Sequence, residues 1–208
     1  VRRRWPLTKP GWCPLTSLLR SAVEPITTMD FRTLISKDRL LVIKTLALCA
    51  PKGGIAAEAG VYKGGSLRLV AQAAPGRKTL GFDTFSGLPA EDWRSGEVHR
   101  PGDFEDNSLS AVTEYLSDCP SVVLVPGLFP ATAGKFSDEV FSFVHVDLDF
   151  YAGTRNAIDF FWPRMVPGGI MVFDDYRWRN CPGVKMALDE AGLPVRSAVP
   201  NQAFCVKD

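Results

Sequence analysis

His145-Val146-Asp147-Leu148-Asp149-Phe150-Tyr151 closes an apolar run that begins at Val140. The run ends in two carboxylates spaced two residues apart. A second apolar run, Gly169 to Phe173, ends in Asp174-Asp175. Continuous apolar stretches of this length are the signature of parallel strands covered on both faces. Open parallel sheets bind ligands beyond the carboxyl ends of their strands. The two runs therefore bring four carboxylates to one rim of one sheet. Like charges in a cleft raise one another's pKa values unless a cation joins them, and a divalent metal is the simplest such cation. One strand-end Asp would read as a helix N-cap. Two pairs ending two strands point instead to metal binding or catalysis.

Working outward, Ile55-Ala56-Ala57-Glu58 reads as a short strand. A glycine-rich turn follows, Ala59-Gly60-Val61-Tyr62-Lys63-Gly64-Gly65-Ser66, and then a helix over Leu67 to Ala74. Strand, glycine turn and helix open the nucleotide-binding half of a doubly wound α/β fold. The spacing is not G-x-G-x-x-G, so a pyrophosphate cradle matches poorly. Lys78 to Phe82 is the next strand, and Asp83 ends it. An acidic residue there can accept hydrogen bonds from both ribose hydroxyls. Glu58 and Asp83 together suggest a nucleoside-containing cofactor with a cationic or neutral tail.

Residues 84–108 form a loop long enough to be a functional lid. Ser108 to Leu116 reads as a helix, Ser121 to Val125 as a strand, and Phe141 to Asp149 as the organising strand. Thr154 to Met165 reads as a helix that buries Ile158, Phe161, Trp162 and Met165. Pro167-Gly168-Gly169 turns the chain into the Asp174-Asp175 strand, Pro182 to Ala191 is the last helix, and short strands near Val195–Ala198 and Ala203–Val206 close the chain. Upstream, Ser36 caps a helix over Lys37 to Cys49, whose Leu40, Ile43, Leu46 and Ala47 share one face and which reads as packing without chemistry. Residues 1–35, rich in Pro and Trp, read as an arm over the domain or a partner, with a short helix over Leu15 to Val23.

The 208 residues suffice for one α/β domain with a sizeable core. A net charge of +1 gives no reason to expect nucleic acid or an anionic membrane as partner. Arg2-Arg3-Arg4 is not followed by an apolar segment, so no secretory signal is read. The apolar stretch Leu40 to Ala50 carries Lys44 and is too short to span a bilayer. Cys13, Cys49, Cys119, Cys181 and Cys205 are scattered, odd in number and without CxxC spacing. They fit reduced thiols in a cytoplasmic protein.

Four ordered motifs now resemble a known family: Glu58-Ala-Gly-Val-Tyr-Lys-Gly-Gly-Ser66, Gly81-Phe-Asp-Thr-Phe-Ser-Gly-Leu-Pro89, His145-Val-Asp-Leu-Asp-Phe-Tyr151 and Pro167-Gly-Gly-Ile-Met-Val-Phe-Asp-Asp-Tyr176. They are similar to those of the macrocin O-methyltransferases, class I S-adenosylmethionine-dependent enzymes that include mycinamicin and novobiocin sugar methyltransferases. The resemblance covers roughly residues 30–208 and makes residues 36–208 the methyltransferase domain. It implies a doubly wound, seven-stranded, mostly parallel sheet of Rossmann-like form. It further implies cofactor binding by Glu58, Gly60, Tyr62, Gly64, Ser66 and Asp83, with Glu58 and Gly60 at the methionine end and Asp83 on the ribose. Magnesium would be held by Asp147, Asp174 and Asp175, and Asp149 would be the general base. His145 reads as a buried hydrogen-bonding residue.

The chemistry agrees. Magnesium lowers the pKa of a coordinated hydroxyl and orients its oxygen. A carboxylate within reach can then take the proton as the oxygen attacks the methyl group. The expected partner is a small molecule bearing a hydroxyl, with quaternary structure, a homo-oligomer included, left open. Two other readings use the same residues. A metal-dependent hydrolase would need a Lys, Arg or glycine-rich phosphate cradle, and the sequence gives none beside the carboxylates. A non-catalytic cofactor-binding module would not need all four carboxylates.

Overall fold

From Lys37 to Ala191 short apolar strands alternate with helices, and this alternation sets the architecture. The computed structural model describes residues 32–208. Its elements are α1 (Lys37–Cys49), β1 (Ile55–Ala59), α2 (Gly65–Ala73), β2 (Thr79–Asp83), α3 (Leu109–Tyr115), β3 (Val122–Pro126), β4 (Phe141–Val146), α4 (Tyr151–Phe161), β5 (Met165–Asp174), α5 (Pro182–Ala191), β6 (Arg196–Val199) and β7 (Gln202–Val206). The seven strands form one sheet in the order β3-β2-β1-β4-β5-β7-β6. Pairings from β3 through β5 are parallel, and β7 runs antiparallel to both β5 and β6. The expected seven-stranded, mostly parallel, doubly wound sheet is the observed one. The strand order reverses between β1 and β4, which makes that junction the place for a ligand.

Strand side chains alternate between the two faces. Ala56, Phe143 and Val172 pack beneath Leu40, Ile43 and Ala47 of α1 and Leu69, Val70 and Ala73 of α2. Ala57, Val144, Met171 and Phe173 pack on the other face against Ala157, Ile158 and Phe161 of α4 and Val184, Ala187 and Leu188 of α5. Both faces of β4 are covered, which is why its sequence is apolar throughout. The same parity has a consequence at the rim. Glu58, His145 and Asp174 each lie two residues beyond Ala56, Phe143 and Val172, so they point to the α1 side.

Phe161 anchors the opposite face. It is fully buried, and its ring meets those of Phe82, Phe129, Phe141 and Phe160 at 4.9–6.0 Å. Phe161→Ala is expected to cost about 3–5 kcal/mol, read as a lower urea midpoint with unchanged slope.

Some boundaries differ from the sequence reading. The first turn of α4 begins at Tyr151, three residues before the expected Thr154, because the chain reverses immediately after Asp149. Met165 belongs to β5, pairing with Phe141, rather than to α4. Pro167-Gly168-Gly169 lies within β5 at a register irregularity. Asp147 to Asp149 follow β4 rather than ending it. The expected helix over Leu15 to Val23 lies outside the described residues. Among those described, no helix is long and apolar enough to cross a membrane.

Candidate active site

The ends of β1 and β4 are locked together. The Asp147 amide donates to the Ala59 carbonyl at 2.8 Å. Gly60, next in line, has φ +91°, and a Cβ there would sit 1.7 Å from the Asp147 carbonyl oxygen. Only glycine lets the two strand ends approach this closely. The turn beyond Gly60 is pinned by Asp83: Oδ2 accepts from the Val61 and Tyr62 amides at 2.8 Å each, and Oδ1 accepts from the Phe85 amide at 2.7 Å. A carboxylate has about four acceptor positions. Three are filled by backbone, so the second-strand acid is first the clasp of the glycine loop and retains room for about one more donor.

The acidic rim is the other half of the cleft. The Phe150 amide donates to the Leu148 carbonyl across Asp149, whose φ is +58°, forming a tight three-residue turn. Asp175 has φ +57°. Asp is among the few residues that tolerate this left-handed region, and the two kinks turn successive carboxylates into one space. Asp147, Asp149, Asp174 and Asp175 all line a single cavity with Gly60, Tyr62, Ser66 and Asp83.

The charges behave as their crowding requires. Burial pushes Asp149 up to about 7, with Asp175 adding to it and His99 and the Cys181 thiol holding it back. Burial pushes Asp174 up to about 6, opposed by His145 and Arg39. Burial and the neighbouring carboxylates, Asp174 first, raise Asp147 well above the usual range. A cation does join them, and it is a side chain. Arg39 of α1 donates from Nη1 to Asp174 Oδ2 at 2.7 Å and to Asp175 Oδ1 at 2.9 Å. Burial works against its charge, but Asp174, Asp175 and Asp147 outweigh it and raise its pKa. The helix read as packing alone therefore carries a site residue. The absence of any Arg beside the carboxylates, inferred from the sequence, is corrected by it, although this guanidinium is committed to the carboxylates and not free to hold a phosphate.

Not every expected residue reaches the cleft. Glu58 is fully buried, and its Oε1 accepts from His145 Nδ1 at 2.7 Å. The parity of β1 turns it under the sheet rim, so it does not line the cavity at a cofactor's methionine end. Gly64 does not line it either. A Cβ there would meet Tyr115, Val112 and Leu116 at 3.2–3.4 Å, which makes it a packing glycine between α2 and α3. His145 is the buried hydrogen-bonding residue expected. The loop over residues 84–108 supplies a wall, with Leu88, His99 and Phe104 on the cleft. His99 Nδ1 pairs with Asp103 at 3.2 Å, and Nε2 faces Asp149 Oδ1 at 3.9 Å. On the far side the Cys181 thiol donates to the same Asp149 oxygen at 3.3 Å. Burial and then Asp149 push that thiol up, so it stays protonated. Nothing local in the sequence ties Arg39, His99 or Cys181 to the acidic motifs.

The residue types fit both absent groups. Asp147, Asp174 and Asp175 carry oxygen donors of the kind magnesium takes, two of them bonded to Arg39 in this structure, and a ring nitrogen of His145 lies within 4.8 Å of carboxylate oxygens of Asp147 and Asp174. The cavity over Gly60, beside the free acceptor position of Asp83, suits a nucleoside. Its wall of Leu88, Leu128, Phe129 and Trp178 is apolar.

Comparison with known proteins agrees with this geometry. A methyltransferase domain family matches residues 57–176. The chain is 29% identical over 153 residues to demethyldecarbamoylnovobiocin O-methyltransferase of Streptomyces niveus, covering 64% of this chain and 56% of that protein. It is 30% identical over 139 residues to 8-demethyl-8-(2,3-dimethoxy-alpha-L-rhamnosyl)-tetracenomycin-C 4'-O-methyltransferase of Streptomyces olivaceus, covering 60% of this chain and 53% of that one. The matches thus span little more than half the length of these relatives. Among solved structures, the calicheamicin methyltransferase CalS11 superposes with a TM-score of 0.67 at 22% identity, over 92% of this chain and 91% of that one. The O-methyltransferase NovP gives 0.65 at 22% identity, over 84% and 81%. Both share the fold.

Proposed function

The chain belongs to the methyltransferase domain family, and from that premise we propose that it transfers a methyl group from S-adenosylmethionine to a hydroxyl of a sugar or other small natural product, assisted by a divalent metal such as magnesium. The four ordered motifs support a macrocin-type enzyme. The observation that carries the reading is one cleft at the strand-order reversal, lined on one side by Gly60 and Asp83 and on the other by all four rim carboxylates. A methyl donor and a metal-held acceptor need that adjacency.

S-adenosylmethionine supplies an electrophilic methyl group on a sulfonium. A metal held by Asp147, Asp174 and Asp175 supplies the means to orient and acidify the acceptor hydroxyl. Gly60 gives the cofactor close access to backbone. The remaining acceptor position of Asp83 holds one ribose hydroxyl. Asp149 is not among the metal-holding residues and takes the acceptor proton. The apolar wall excludes water from the transfer. Thr33, Leu34 and Ile35, just ahead of the proposed domain over 36–208, also line the cleft.

Calorimetry and turnover test the reading together. S-adenosylhomocysteine is expected to bind with or without magnesium, whereas methylation of a panel of glycosylated acceptors requires the metal. Full turnover in EDTA removes the metal from the reading, and no binding of S-adenosylhomocysteine removes the methyl donor. Asp83→Ala should weaken S-adenosylhomocysteine by at least the roughly 1.5–3 kcal/mol of one charge-assisted hydrogen bond. It should also lower the melting temperature, because three backbone amides lose their acceptor. Unchanged affinity in a destabilised variant would leave Asp83 a clasp only.

A further inference from the structure

The loop over residues 84–108 carries one more carboxylate to the cleft. Asp92 ends a single 3-10 turn, Ala90–Asp92, and lines the cavity while only 7% exposed. Its Oδ2 rests on the first turn of α4, where a Cβ on Gly153 would lie 3.0 Å from that oxygen and 3.1 Å from Leu148 Cβ. The helix end is served by another residue, since the Tyr151 amide donates to Glu97 Oε1 at 3.0 Å. Among the described residues no hydrogen bond or ion pair reaches Asp92. Burial pushes it up to about 6, with Glu91 adding to it and Arg94 holding it back. Arg94 acts from a distance, because its guanidinium lies over the Tyr151 ring at 3.9 Å. The rim carboxylates are not among the charges that act on Asp92, which sets it apart from the metal-holding group.

A buried carboxylate without a countercharge costs free energy, and native folds satisfy nearly all such groups. One left open in a cleft marks a place for a ligand. We infer that Asp92 is a specificity-determining residue that receives a protonated amine of the acceptor, so that the methylated molecule is an amino sugar or a similarly aminated small molecule. The inference rests on the methyl-transfer reading and names the acceptor class for it. Two features favour an ammonium over a neutral donor. An ammonium supplies the charge that Asp92 lacks, whereas a hydroxyl leaves the carboxylate uncompensated. The neighbouring wall is aromatic: the His99 ring stands 5.2 Å from that of Phe104 and 6.0 Å from that of Trp178, and all three residues line the cleft. The faces of Phe and Trp rings attract cations. The same charges disfavour an anionic acceptor. Among the described residues on the cleft, the one lysine or arginine is Arg39, already bonded to Asp174 and Asp175. A phosphate-bearing sugar finds no side-chain cation free to hold it.

Saturation-transfer NMR on the full chain near neutral pH, with and without S-adenosylhomocysteine, tests this with two probes. Methyl glucosaminide carries the amine, and methyl glucoside carries a hydroxyl in its place. The glucosaminide is expected to bind, and Asp92→Asn to weaken it by about 10- to 100-fold, the usual worth of a charge-assisted hydrogen bond. Glu91→Gln should leave it unchanged. The glucoside should bind more weakly and not respond to Asp92→Asn. Asp92→Asn should also unfold at a higher urea concentration than the unaltered protein, because it removes an uncompensated buried charge and breaks no bond. A lower midpoint makes Asp92 a residue kept for stability and overturns the inference. So does equal glucosaminide binding by the variant, or an equal loss for both probes, which assigns Asp92 to a hydroxyl. A protein that binds S-adenosylhomocysteine but not the glucosaminide rejects the amine subsite while sparing the methyl donor. Glucosaminide binding that depends on Asp92, in a protein that does not bind S-adenosylhomocysteine, does the reverse.

Discussion

Asp149→Asn is expected to lower turnover by about 10²–10⁴-fold, the usual contribution of a general base, while leaving S-adenosylhomocysteine affinity unchanged. The amide keeps the size of the carboxylate and can still accept a hydrogen bond from Cys181, but it cannot take a proton. The tight turn at φ +58° also survives, since Asn tolerates that region as Asp does. Asp147→Asn slows turnover for a different reason, because it removes charge from a metal-holding group, and raising the metal concentration should rescue it at least in part. Turnover across a metal titration of both variants separates the roles. If metal rescues Asp149→Asn as it rescues Asp147→Asn, Asp149 holds the ion and water must accept the proton.

Gly60→Ala carries the largest expected structural effect. The added Cβ would lie 1.7 Å from the Asp147 carbonyl oxygen and 2.7 Å from its carbonyl carbon. Those atoms are backbone, and the Asp147 amide is already bonded to Ala59, so nothing nearby can rotate away. Either β1 and β4 part at their ends or the glycine turn is displaced. A loss of more than about 4 kcal/mol is expected, with S-adenosylhomocysteine binding abolished in whatever remains folded. Gly76→Ala is the control. It shares a positive φ, +80°, but meets nothing within 4 Å. Its cost should stay near the roughly 1–2 kcal/mol of an unfavourable backbone conformation. Equal urea midpoints for the two variants would refute the close-approach argument.

The frame of this protein is legible in its chain. Apolar runs of the kind covered on both faces mark β4 and β5. Their acidic ends had to gather at one rim, because parallel strands all deliver their carboxyl ends to the same edge. Crowded carboxylates attract a cation, and Arg39 meets two of them. These are local or topological facts, set by a period of two along a strand and by the direction of pairing. Which side chains arrive from elsewhere depends on how the helices pack over the sheet. Arg39 and Asp174 are 135 residues apart, and their meeting depends on how α1 crosses the sheet, which no pattern within α1 encodes. The same holds for His99 and Cys181, brought to either side of Asp149 by a loop and by the start of α5. Glu58 lies off the cavity for a simpler reason. It precedes the glycine turn in sequence, but strand parity points it under the rim toward His145. The chain's order names the carboxylates, and the packing of helices over the sheet decides what they face.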